Sequence, residues 1–175
     1  MARTINRDDP IRLYLGKAQA ARLKKIGYEE RLLELRSRAE RMSAGLSPVP
    51  HSGPYASLEA IWARLADEVD RYEAVIAEAV EEMKEIDDFI DSLHISYVEQ
   101  EILRLRYCNG LSYEQIQRLI RKAGYWYSMA YLWELHGNAL EAARQEYQLR
   151  KDVEEGKEEL RRSLGLDKEE GNEND

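Results

Sequence analysis

Stepping from Ile11 by alternate threes and fours meets Tyr14, Ala18, Ala21, Lys25, Tyr28, Leu32, Leu35, Ala39, Met42 and Leu46, all apolar except Lys25. From Leu58, alternating fours and threes, the chain offers Trp62, Leu65, Val69, Tyr72, Ile76, Ala79, Met83, Ile86, Ile90 and Leu93, all apolar. A 3-4 spacing held this long lays one stripe along one helix face and is the coiled-coil pattern. Between the stripes, residues 45–56 contain Gly45, Pro48, Pro50, Gly53 and Pro54, which forbid a continuous helix and force a turn. Each helix is about 35 residues, or roughly 50 Å long. The two fold back as an antiparallel hairpin over residues 10–93. The alternative is that each pairs with another chain, and the hairpin itself leaves room for a homodimer.

Charge supports the hairpin. Residues 1–46 carry a net +5 and residues 47–93 a net −9, so the two helices attract when laid side by side. Residues 94–150 are nearly balanced at +1, and 151–175 carry −5. The total of −8, taken alone, argues against a nucleic-acid binder. Asp9-Pro10 suits the start of the first helix, and Ser57 with Glu59 the start of the second.

Past Leu93 the rhythm shortens. Ser96-Tyr97-Val98-Glu99 is a capping box opening a helix that ends near Asn109-Gly110. Ser112-Tyr113-Glu114-Gln115 opens a second helix, running to Ala123-Gly124. Tyr125-Trp126-Tyr127 makes a turn, and Ser128 caps a last helix reaching about Leu149. Residues 94–150 thus read as a three-helix helix-turn-helix unit. Residues 151–175 form an acidic tail that extends the helix at first and has too little apolar surface to order its end, so it is expected to be disordered. With only 10 Gly and 4 Pro, the whole is all-α: a long antiparallel helical hairpin, then the helix-turn-helix unit.

No catalytic constellation emerges. His51, His94 and His136 are scattered, with no metal-ligand spacing, and phosphate loops and nucleophile elbows are absent. Glu81-Glu82 and Asp87-Asp88 read as solvated helix surface. Cys108 reads as a small core residue, and His136 as a core-edge histidine bonded to backbone. The expectation is a protein that is not an enzyme and has no cofactor or metal. Without an apolar signal core, a bilayer-length stretch or a second cysteine, it is expected to be cytoplasmic, with no membrane partner.

Two segments carry a family resemblance. Leu103-Arg104-Leu105-Arg106-Tyr107-Cys108-Asn109-Gly110-Leu111-Ser112-Tyr113-Glu114-Gln115-Ile116 resembles the first two helices of the region-four-like fold of bacterial sigma factors. Tyr127-Ser128 followed by Leu135-His136-Gly137-Asn138-Ala139-Leu140 is similar to the recognition helix of phage and prophage transcriptional regulators of the ArpU and RinA types. The resemblance spans roughly residues 11–147. It implies a regulator that reads duplex DNA with its last helix. The residues it points to are Arg118, Arg121 and Lys122, then Tyr127 and Ser128, then Tyr131, Asn138 and Arg144.

The chain also departs from that family. Ile116 to Tyr127 is about five residues longer than the second helix and turn of its members. Ala130, Glu134 and Asn138 stand where those members tend to carry arginine; by the phase of the apolar set they share one face pointing away from the core. A second reading is therefore a helical protein-interaction module, with RNA polymerase or another phage protein as partner. The overall charge, Glu134 and the aromatics Tyr125, Trp126, Tyr127, Tyr131 and Trp133 favour it. A helical phage packaging subunit is a third.

Overall fold

A computed structural model describes residues 9–44 and 58–164. Every regular element among them is helical: α1 is Pro10–Ala44, α2 Leu58–Asp91, α3 Tyr97–Leu103, α4 Tyr113–Lys122 and α5 Met129–Ser163. A π-helical turn, Arg104–Cys108, continues α3. The all-α expectation holds. Ser57, the Pro/Gly loop and the end of the tail lie outside the described residues.

Asp9 starts α1: its Oδ1 accepts the Ile11 N–H at 3.3 Å and its carbonyl accepts from Arg12 and Leu13, with Pro10 in the first turn. α1 and α2 run antiparallel, as numbers rising on one meet numbers falling on the other. The Tyr14 hydroxyl donates to Glu85 at 3.3 Å, Lys24 pairs with Glu78 at 2.7 Å, and Tyr28 and Tyr72 meet edge to face at 5.4 Å. Arg36 reaches Glu73 at 2.9 Å. Each ion pair here joins a base on α1 to an acid on α2, as the opposite charge blocks require. Of the two stripes, no residue from Ile11 to Ala39 or from Trp62 to Leu93 is exposed.

Burial deepens toward one end of the hairpin. Trp62, Leu65, Val69, Tyr72 and Ile76 are half-buried, whereas Ile86, Ile90 and Leu93 are buried. The difference arises because the C-terminal helices close over that end. Ile11, Leu15 and Ala18 of α1, Ile86, Phe89 and Ile90 of α2, Leu103 of α3, and Ala139, Leu140 and Ala143 of α5 form one apolar cluster. The base of the hairpin and the C-terminal unit therefore share a core. Polar ties reinforce it. Arg104 pairs with Asp87 at 2.7 Å and with Asp91, and Arg150 donates to the Ser92 Oγ at 2.6 Å while lying over the Phe89 ring.

A second cluster lies wholly within the C-terminal unit: Ile102, Leu105, Ile116, Ile120, Leu132 and Leu135, so α3, α4 and the start of α5 pack around their own centre. Both predicted capping boxes are present, at Ser96 with Glu99 and at Ser112 with Gln115.

α5 corrects the reading of the tail. It runs past Leu149 to Ser163, so the tail extends the helix at first, as expected, but for longer than a tail read as disordered from residue 151 allows; all of residues 151–163 are exposed. Two things hold them. The helix grows from a packed stretch, so no new nucleus is needed. Its surface is also laced by Lys151–Glu155 at 3.6 Å, Lys157–Glu154 at 2.7 Å and Arg162–Glu158 at 3.4 Å. No helix among the described residues is long and apolar enough to cross a membrane.

Candidate nucleic-acid interface

The link from α4 to α5, residues 123–128, is specified by local hydrogen bonds. At the end of α4 the Tyr125 N–H bonds the Ile120 carbonyl and the Gly124 N–H the Arg121 carbonyl, each at 3.1 Å. This is the Schellman pattern, and Gly124 supplies the left-handed residue it needs, at φ +96°. The Gln117 side-chain amide donates to the Tyr127 carbonyl at 2.9 Å, and the Ser128 hydroxyl accepts the Tyr131 N–H at 3.2 Å, capping α5. The direction in which α5 leaves the turn is thus set by named bonds.

Arg118, Arg121 and Lys122 come together, lining a groove of about 580 Å³ with Leu119 and Trp126 and no acidic residue. The Arg121 guanidinium lies 5.1 Å from the centre of the Trp126 ring, an arrangement that holds both side chains in place. Tyr127 is half-buried, with its ring 5.7 Å from that of Tyr125 and 5.1 Å from that of Tyr131. The Ser128 hydroxyl serves the cap. Tyr131 and Asn138 are exposed on α5, as are Ala130 and Glu134, so the outward face read from the apolar phase is where the phase places it. Arg144 does not join the group. It pairs with Asp9 at 2.8 Å and with Glu141, so it tethers α5 to the start of α1. Gln117 was missed by sequence reasoning, since nothing in a lone glutamine marks a bond to a carbonyl ten residues on.

Behind the outward face lies His136, 4% exposed. Its Nδ1 is 3.1 Å from the Tyr113 hydroxyl, and the Tyr107 ring stacks on it at 5.9 Å. The partner is a side chain, not the backbone expected, because the π-turn and α4 bring two tyrosines over this point of α5. Nε2 is buried with no hydrogen-bond partner. Burial, aided by the charges of Arg12 and Arg106, lowers the imidazole pKa to about 4. Burial likewise lifts the Tyr107 hydroxyl to about 12 and the Cys108 thiol to about 11, and Cys108 packs against the shared core. Among the described residues no group of histidine, cysteine and carboxylate side chains converges to hold a metal ion.

Set against protein-family models, curated proteins and solved structures, the chain matches none.

Proposed function

We propose that this chain is a phage-type, DNA-binding transcriptional regulator whose α4–turn–α5 unit docks on duplex DNA. One observation carries the reading: a turn closed by capping bonds joins α5, whose Tyr131 and Asn138 are exposed, to the end of α4, where Arg118, Arg121 and Lys122 line one groove. In this arrangement the cluster neutralises phosphate while α5 enters the major groove. The family resemblance of residues 103–116 and 127–140 supports the same assignment. The negative charge of the chain as a whole does not oppose it, because much of that charge sits on α2 and in the tail. Replacing Arg121 and Lys122 together by Ala should weaken binding to every duplex alike and lower the salt slope by about two counterions. Fluorescence anisotropy over a salt series measures both, and unchanged affinity would remove the cluster from the interface.

A second reading has its own observation. Trp126 is 77% exposed and Trp133 56%, and large aromatics left in solvent are typical anchors of protein interfaces. In this reading the same face binds a protein such as RNA polymerase. The variant carrying Ala130→Arg, Glu134→Arg and Asn138→Arg separates the two. Local charge rises by +4, since Glu134 also gives up its negative charge. A groove-docking face should then bind nonspecific DNA about tenfold or more tightly, with a steeper salt dependence. A protein-binding face should gain little DNA affinity and lose RNA polymerase in pull-down, because unpaired buried charge is costly.

A further inference from the structure

The far end of α5 packs against no other element among the described residues. From Lys151 to Leu164 every residue is exposed, so about 20 Å of helix projects beyond the shared core. The projection is not uniformly polar. Leu149, Val153 and Leu160 are large apolar side chains standing in solvent, and together with Gly156 they fall at alternating spacings of four and three. In heptad terms Leu149 and Gly156 are d positions, while Val153 and Leu160 are a positions. Short helices in water draw most of their stability from packing an apolar face, and this face has none to pack on within the described residues.

The flanking charges identify what covers it. Within the projection the e positions are Lys157 and Leu164 and the g positions are Asp152 and Glu159, both acidic; Arg150, the e position before it, is held by Ser92 and Phe89 at the end of its own α2. Two parallel helices oppose each g residue to the following e residue of the other, so Asp152 of each meets Lys157 of its mate. Antiparallel helices oppose g to g and e to e, setting acid against acid and leaving Lys157 without an acidic partner. We propose that the C-terminal half of α5 is a dimerisation surface that takes a second copy of this chain, in parallel and in register, along Leu149, Val153, Gly156 and Leu160. Gly156 leaves one layer empty, with open space around its Cα, so the seam is short and the dimer exchanges readily. The surface is independent of whatever the other end of α5 reads.

The test is sedimentation velocity on the full chain across a concentration range from about 1 µM to about 1 mM. The native chain should pass from monomer to dimer. Val153→Asp with Leu160→Asp should remain monomeric, with helix content by circular dichroism unchanged, because both side chains are exposed in the monomer. Asp152→Lys places lysine against Lys157 in the parallel pair and should weaken the dimer about tenfold, whereas Asp152→Lys with Lys157→Glu should restore it. Gly156→Leu should tighten it. Three results would overturn the proposal. One is a monomer throughout the range, which gives the stripe to solvent or to a different protein. Another is a dimer that survives the double aspartate variant, which places association elsewhere on the chain. The third is a dimer that Asp152→Lys leaves unchanged or strengthens, which makes the helices antiparallel.

Discussion

Phe89→Ala is expected to destabilise the whole molecule by about 3–5 kcal/mol and to do so in one transition. Phe89 is 1% exposed and sits where α1, α2 and α5 meet. Its ring takes the edge of Tyr14 at 5.1 Å, and the Arg150 guanidinium lies over it at 5.0 Å. Removing it opens a cavity between elements that cannot collapse independently and loosens the hold of Arg150 on α2. Against a typical native stability of about 5–15 kcal/mol this is a large fraction. Leu65→Ala is the comparison: Leu65 is half-buried at the far end of the hairpin and should cost roughly 1–2 kcal/mol. Denaturant titration followed by far-UV circular dichroism and by tryptophan emission checks both. Trp62 reports the hairpin, while Trp126 and Trp133 report the C-terminal unit. Two separable transitions, with only one shifted by Phe89→Ala, would show that the hairpin and the C-terminal unit do not share a core.

Acid should cost the fold roughly 3 kcal/mol through His136 alone. In the folded chain the imidazole pKa lies at about 4, and the ordinary value, taken for the unfolded chain, is 6.5. Between these the unfolded state binds the additional proton. The stability contributed by the neutral ring is therefore complete above pH 6.5, falls as pH drops toward 4, and levels off below that. The ring is too well buried for solvent to screen the effect, and the charged groups that act on it, Arg12 and Arg106, both oppose protonation. His136→Gln keeps a hydrogen-bonding group for the Tyr113 hydroxyl but does not titrate. Over this pH window, the unfolding free energy of the native chain should fall more steeply than that of the variant, by about one proton. Equal slopes would mean that the ring is solvated, not buried beneath Tyr107 and Tyr113.

Much of the fold was legible because its determinants act over a few residues. A stripe at 3-4 spacing needs only the helix period, and the opposite charges of the two halves select their side-by-side pairing. Ser96, Ser112 and Ser128 cap helices by bonding N–H groups three residues ahead, and Gly124 closes α4 within one turn. The outward face of Ala130, Glu134 and Asn138 followed from the same periodicity. Other features depended on partners far along the chain. Leu15 and Phe89 lie off both stripes and are buried only because α5 and the π-turn close over the hairpin base. The ring of His136 meets Tyr113, 23 positions away. Arg144, a plausible phosphate contact by sequence, is held by Asp9, 135 positions away. Periodicity and capping are properties of one segment and can be read from it. Which side chain shields, neutralises or stacks on another is set by packing between segments, and only the tertiary structure decides it.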